Sequence, residues 1–199
     1  MSQSATQGRT TGLHPPLGAR LYGAKPIVWR GQSELPQLPW EHGQRGLFLV
    51  LDLWSGIGGL LVGLLALGIR CIAVSAEQET MLHAAAGTNF PNLVMVNSVE
   101  ELRGSDFRAV LGRRHFTAII VGGGSPCQGN SSLNAGRKGW RDPRSRQPLE
   151  LQRLVKELRH EVESLPHRVP VLTLLENVAS APKDIIQQYT SLVGGPPSK

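Results

Sequence analysis

The chain is poor in aromatic residues: Phe, Trp and Tyr make up 5% of its 199 residues. Any core must therefore be built mainly from aliphatic side chains. It holds two cysteines, Cys71 and Cys127. Two cysteines make no disulfide framework in a chain of this size, and no Cys/His spacing suggests zinc, so no metal is expected. A reducing, intracellular environment is the default. Long apolar runs are missing too. The longest, around Leu60–Leu67, is interrupted by Gly63 and falls well short of the roughly 20 residues a membrane-spanning helix needs. No membrane partner is expected. Met1–Gly12 is polar and carries no apolar stretch of a secretory signal. Acidic residues are outnumbered, 15 Asp and Glu against 21 Lys and Arg, for a net charge of +6. That excess is compatible with a polyanionic partner but is weak evidence by itself.

A hydrophobic fraction of 40% suffices for a real core and argues against wholesale disorder. The length favours one domain with room for an extension. Residues 1–45 differ from the rest. Pro15, Pro16, Pro26, Pro36 and Pro39 recur among Gly, Gln and Ser without helical or strand period. This stretch reads as an extended, mostly disordered arm, with Trp29 and Trp40 available to pin parts of it to the body. Residues 46–199 read as the ordered domain.

There the pattern alternates. Leu47–Trp54, Arg70–Ala76, Leu93–Val96, Phe116–Val121 and Val169–Leu175 are short apolar runs that suit buried parallel strands. Between and after them, Gly59–Leu67, Glu79–Gly87, Val99–Leu111 (interrupted by Gly104), Leu149–Ser164 and Pro182–Leu192 read as helices. In the fourth, Leu151, Leu154, Val155, Leu158 and Val162 share one face. Such alternation predicts an α/β fold, a doubly wound, mostly parallel sheet. Ligands then bind outside the carboxyl ends of the strands.

Two loops stand out. Asp52-Leu53-Trp54-Ser55-Gly56-Ile57-Gly58-Gly59 closes the first strand and opens the first helix. Its glycines allow a backbone to approach a ligand closely, and the helix N-terminus favours a carboxylate. A glycine turn between strand and helix is structural about as often as not. Glu77, at the tip of the second strand, adds an acid where nucleoside ribose hydroxyls are held, unless it merely caps the next helix. The second loop, Val121-Gly122-Gly123-Gly124-Ser125-Pro126-Cys127-Gln128-Gly129, follows the fourth strand. Its glycines read as a tight bend. Inert cysteines sit inside strands, as Cys71 does. Cys127 instead sits at a strand's carboxyl end, where a thiolate nucleophile is useful.

The run Gly123-Gly124-Ser125-Pro126-Cys127-Gln128 resembles motif IV of the DNA (cytosine-5) methyltransferases. Asp52–Gly59 resembles that family's S-adenosylmethionine turn, motif I, and Leu174-Leu175-Glu176-Asn177-Val178 its motif VI. The three occur in family order, each at the end of an expected strand. Ser132–Gly139 is similar to the segment after the cysteine in the de novo branch. The resemblance covers about Leu47 to Gln188 and implies a Rossmann-like methyltransferase fold, with S-adenosylmethionine as cofactor and cytosine-containing DNA as partner.

It further implies that Cys127 attacks carbon 6 of cytosine and that Glu176 holds the ring nitrogen and exocyclic amine, which requires a protonated carboxyl or a shared proton. Asn177 orients the loop. Asp52, Trp54, Ser55, Gly56, Gly58, Gly59, Glu77, Ser98 and Pro126 would line the cofactor site. Arg137, Lys138, Arg141, Arg144 and Arg146, opposed only by Asp142, would contact DNA phosphates. A charge run is more often a solvated surface, but this one follows the Cys127 loop directly.

Trp54 stands where the family normally has Phe. Asn97 or Ser98 stands where it usually has an acid near the adenine amine. The later family motifs, including the target recognition region, are not found after motif VI, so the chain reads as truncated there and its sheet as incomplete at the C-terminus. A protein partner or second fragment would then supply them. Alternatives are an inactive homologue acting as an interaction module and a tRNA cytosine methyltransferase of the same family. The nucleus is the expected location if the host is eukaryotic.

Overall fold

The computed structural model describes residues 15–27 and 46–195. Five parallel strands form one sheet in the order β3-β2-β1-β4-β5, with β1 Leu47–Leu53, β2 Arg70–Ala76, β3 Val94–Val96, β4 Phe116–Gly124 and β5 Val171–Glu176. The order reverses direction at β1, whose two neighbours are β2 and β4. A crevice opens at such a reversal, outside the carboxyl ends of the strands.

Helices cover both faces: α1 Leu17–Gly23, α2 Gly59–Ala66, α3 Thr80–Asn89, α4 Arg108–Arg113, α5 Pro148–Glu163 and α6 Lys183–Val193. Val50, Cys71, Ala73 and Ile120 meet Leu61 and Leu65 of α2 and Ala86 of α3 on one face. Leu49, Leu51, Ile72, Ile119 and Val121 meet α1, α4 and α5 on the other. The sheet residues alternate between these two clusters, as period-2 geometry requires. The amphipathic stripe of α5 points inward as expected: Leu151, Leu154, Val155 and Leu158 are buried. Each is worth roughly 2 kcal/mol of burial.

Three sequence expectations change. The helix expected over Val99–Leu111 is broken into two 3-10 turns, Val99–Glu101 and Gly104–Phe107, followed by α4. Arg103 N–H donates to Asp106 Oδ2 (2.9 Å) and starts a new turn there. Gly104 is pressed against α5, where a Cβ would fall 2.6 Å from Glu157 Cβ. The glycines of the fourth loop do not bend the chain. Gly122–Gly124 extend β4 and pair with Leu174–Glu176 of β5. Gly122 and Gly123 are glycines because neighbouring backbones crowd them: a Cβ at Gly123 would overlap the Leu53 carbonyl oxygen, and one at Gly122 would fall 2.5 Å from the Leu174 carbonyl oxygen.

Third, part of the expected arm is ordered. Leu17–Gly23 forms α1, and its Leu21 is 0% exposed. Arg20 donates to the Met95 carbonyl (2.7 Å) and Arg114 to the Ala24 carbonyl (3.1 Å). Ile27 forms an antiparallel bridge with Cys71. It takes the edge of β2 that β3 leaves free, since β3 pairs only with Val74–Ala76. Trp29 and Trp40 lie outside the described residues.

Candidate active site

Strand register brings the sequence motifs to one edge. Asp52 lies beside Ser75 on one side and Gly122 on the other, and Gly124 lies beside Glu176. The chain leaves β1, β2, β4 and β5 within two or three residues of these pairs. The loops carrying Trp54–Gly59, Glu77, Ser125–Gln128 and Asn177 therefore share a rim.

On the β1–α2 side, backbone N–H groups tie the turn. Ser55 N–H donates to the Ala76 carbonyl (3.1 Å) and Gly56 N–H to Glu77 Oε2 (2.8 Å). Glu77 Oε1 also accepts from Glu79 N–H (2.8 Å), so the carboxylate ties the entry to α3 and the glycine turn at once. Each oxygen keeps a lone pair. Three of the turn's residues have positive φ: Trp54 at 53°, Gly56 at 55° and Gly58 at 94°. For Trp54 this is a strained conformation. Gly58 is further confined, since a Cβ there would fall 2.5 Å from the Phe90 ring. Around Gly56 and Gly59 there is open space.

The turn fits a nucleoside-bearing amino acid. Glu77 retains acceptor capacity for hydroxyls, Gly56 leaves room, and Ser55 Oγ is buried with no hydrogen-bond partner. Ser98 is half-buried at the end of β3, beside the exposed Asn97. Asp52 is set apart from this opening. It is 1% exposed and its side chain lies on the α2 face, with Oδ2 unpartnered. Burial, reinforced by the Glu77 charge, pushes its carboxyl from 3.8 up to about 8.

A raised folded-state pKa means that stability is complete below about pH 4 and is lost as pH climbs toward 8, because the unfolded chain ionises first. The full effect is on the order of 5 kcal/mol. Asp52→Asn should therefore lose this slope and gain stability relative to the parent at alkaline pH. Thermal unfolding midpoints of both proteins between about pH 5 and pH 9 read it; curves that stay parallel would count against a buried neutral Asp52.

On the β4 side, Asn177 Nδ2 donates to Ser125 Oγ (2.9 Å) and to the Ser125 carbonyl (3.2 Å), joining the two loops. Its Oδ1 accepts from Val178 N–H (2.9 Å). Glu176 is exposed at the end of β5, and a Cβ at Gly124 would fall 2.9 Å from its Oε2. The Glu176 carboxyl thus lies directly against the strand that leads to Cys127. Pro126 and Cys127 are half-buried. The Cys127 carbonyl accepts from Asn130 N–H and Ser131 N–H, both at 2.8 Å, so the turn after the thiol is closed by backbone bonds. Cys71, in contrast, is 0% exposed within β2, and burial pushes its thiol up to about 12.

The cations divide into two sets. Arg144 is committed: its guanidinium grips Asp142 through Nε (3.0 Å) and NH2 (2.8 Å), holding that carboxyl down at about 2. Arg137 reaches the Asn130 and Ser180 carbonyls (3.3 and 3.2 Å) and braces the Cys127 loop. Among the described residues, Lys138, Arg141 and Arg146 are exposed and their side chains make no hydrogen bond or ion pair. Of the five cations between Arg137 and Arg146, these three have side chains left without a partner.

Several residues that hold this site have no motif signature. Gln147, at the start of α5, accepts from Trp54 Nε1 (3.0 Å) and donates to Glu100 Oε1 (3.3 Å), linking three loops. The Trp54 bond uses the indole N–H, which a phenylalanine would lack. Asn130, Ser145 and Tyr189 form a buried polar cluster behind Cys127.

A crevice at the reversal of a parallel sheet, with a glycine turn and an acid on one side and a thiol and a glutamate on the other, defines a doubly wound, Rossmann-like α/β fold. More narrowly, a model of the C-5 cytosine-specific DNA methylases matches residues 48–184, and the chain belongs to that family. It is 30% identical over 153 residues to the Type II methyltransferase M.XorII of Xanthomonas oryzae pv. oryzae, covering 71% of this chain and 35% of that protein. Among solved structures it is similar to a protein described as a DNA modification methyltransferase encoded within a prophage (E. coli), at 26% identity and a TM-score of 0.51, over 74% of this chain and 38% of the other. The Entamoeba histolytica methyltransferase EhMeth shares the fold, at 17% identity and a TM-score of 0.50, over 75% of this chain and 43% of the other. The chain spans little more than a third of the length of its curated relative.

Proposed function

We propose that these residues serve methylation of carbon 5 of cytosine in DNA through a covalent adduct of Cys127 at carbon 6. The observation that carries the reading is the Gly124–Glu176 register pair together with the Asn177–Ser125 bonds, which put the thiol loop and the glutamate on one rim. Bound S-adenosylmethionine would supply an electrophilic methyl group. Ser55, Gly56 and Glu77, with Trp54 beside them, would hold it. Ser98 and Pro126 would border it.

Carbon 5 of cytosine is too weak a nucleophile to take that methyl group unaided. Addition of the Cys127 thiolate to carbon 6 breaks the 5,6 double bond and makes carbon 5 enamine-like. Glu176 shares a proton with the ring nitrogen, draining the negative charge that the addition pushes into the ring. After carbon 5 is methylated, its proton leaves to a base, the carbon–sulfur bond breaks and the ring regains aromaticity. The base must leave the helical stack first, at a cost of a few kcal/mol. Contacts of Lys138, Arg141 and Arg146 with phosphates would offset it.

The similarity of Ser132–Gly139 to the segment after the cysteine in the de novo branch supports a reading within that branch. The relatives' greater length leaves substrate choice to residues beyond these. A partner chain or further segment supplying them would pack on β5, where Leu172 and Leu174 are each 50% exposed on the outermost strand.

The test is mechanism-based trapping. The protein is incubated with S-adenosylmethionine and a duplex carrying 5-fluorocytosine, whose carbon 5 cannot lose a proton. A covalent complex that mass spectrometry locates on the Cys127 peptide is the expected product. A parallel tRNA substrate decides between the nucleic acids. No adduct on either, with no cofactor binding at high micromolar concentration, would overturn the reading for these 199 residues.

A further inference from the structure

We infer that Tyr189, on α6, is a positioning residue that sets the Cys127 loop through Asn130 and Ser145. This rests on the reading of Cys127 as the nucleophile. The Asn130 side chain is 0% exposed, and so is that of Ser145. Asn130 Nδ2 donates to the Tyr189 hydroxyl (2.8 Å), the Ser145 hydroxyl donates to Asn130 Oδ1 (2.7 Å), and the Tyr189 hydroxyl donates to the Ser145 carbonyl (2.9 Å). The three groups close a triangle with no charge in it. Each member lies on a different segment: the turn after Cys127, the 3-10 turn Pro143–Arg146, and α6.

The triangle is connected directly to the thiol. Asn130 also donates its backbone N–H to the Cys127 carbonyl. Gly129 is packed so closely on the Pro143–Arg146 turn that a Cβ there would fall 2.7 Å from Asp142 Cβ and overlap the Ser145 hydroxyl. Tyr189 is itself held, packed with Ala181 and Ile185 and tilted against Trp140 at a ring distance of 6.3 Å. A hydroxyl on a fixed helix thus fixes an asparagine whose own backbone sets the cysteine. Burial pushes the Tyr189 phenol up, so it remains a donor at neutral pH.

Removing the Tyr189 hydroxyl leaves the Asn130 amide and the Ser145 carbonyl unpaired in a buried site, a state that buried polar groups escape by moving. The loop then samples other positions while the sheet beneath it stays intact. Tyr189→Phe is the test, with two readouts on the full chain. Without DNA, alkylation of Cys127 by iodoacetamide should speed up about tenfold, while Cys71, fully buried in β2, stays protected and reports global integrity. With substrate, kcat should fall roughly tenfold to a hundredfold, with the cofactor Kd and the KM for DNA each within about twofold of the parent. Ser145→Ala should act in the same direction, and the double variant should be little worse than either single one.

Cys127 labelling unchanged within about twofold, or Cys71 labelling rising in step with it, would overturn the inference. So would a loss shared equally between kcat and cofactor affinity. The labelling arm needs no DNA chemistry, so a parent protein that fails to trap 5-fluorocytosine leaves this test standing and faults only the proposed reaction.

Discussion

On the proposed reaction, Cys127→Ala should reduce methyl transfer to background while leaving the fold and cofactor affinity intact. The loss should be on the order of 10^4-fold or more, the scale seen when a covalent nucleophile is removed. The chemistry leaves no smaller effect available, because without addition at carbon 6 the ring has no enamine-like carbon 5. The structure explains why folding should survive. The Cys127 side chain is half-buried, and the turn is closed through the cysteine's backbone carbonyl, which alanine keeps. Single-turnover rates with labelled S-adenosylmethionine, alongside a cofactor titration, read both halves. A variant that keeps more than about one per cent of parental activity would exclude the covalent route.

Gly123→Ala should be the most damaging substitution to the fold, costing on the order of 4 kcal/mol or more against a total that is rarely above about 15. Gly123 has φ 155° and lies against the central strand: the added Cβ would overlap the Leu53 carbonyl oxygen and fall 2.8 Å from its carbon. Both are backbone atoms within the sheet, so neither can swing away. Gly124→Ala is the informative contrast. There the added Cβ meets the Glu176 Oε2 atom, at 2.9 Å, which is the far end of a flexible side chain. The fold should hold to within about 1 kcal/mol. Displacement of the carboxyl should cost roughly tenfold to a hundredfold in rate. Urea midpoints and turnover, measured on both variants, separate the two effects; a Gly124→Ala protein as unstable as Gly123→Ala would mean that Glu176 is not free to move.

Asp52 shows a similar division between fold and chemistry. Its place in the glycine turn makes it look like a cofactor ligand, yet the side chain is turned under α2 and held neutral there. Its pH slope reports on the sheet. The acid bonded to the turn itself is Glu77, two strands' width from the thiol side.

Much of this protein was readable in one dimension. Apolar runs of strand length alternating with helical stretches predict a parallel sheet, because hydrophobic periodicity is a local property. Glycine turns and chemically active residues at the ends of those runs predict where a site must open, because parallel sheets expose only their strand ends. Short segments with weak periodicity escaped: α1 carries one fully buried leucine, Leu21, and owes its order to Arg20, Arg114 and the Ile27–Cys71 bridge. The three glycines were recognisable as a signal but not as a strand, since Gly122 and Gly123 answer to the approach of Leu174 and Leu53 from two other strands.

The cation cluster was equally legible as composition and not as contact. Only the folded loop commits Arg144 to Asp142 and Arg137 to two carbonyls, leaving Lys138, Arg141 and Arg146. The pairing of Gly124 with Glu176, and the meeting of Asn130, Ser145 and Tyr189, join residues up to 59 positions apart. By itself the sequence determined the layered α/β architecture, the family and the candidate thiol, since local pattern and motif chemistry are carried by neighbouring residues. Tertiary structure alone decided which side chains hold that thiol and which charges stay free, because register and long-range hydrogen bonds exist only once distant strands have packed.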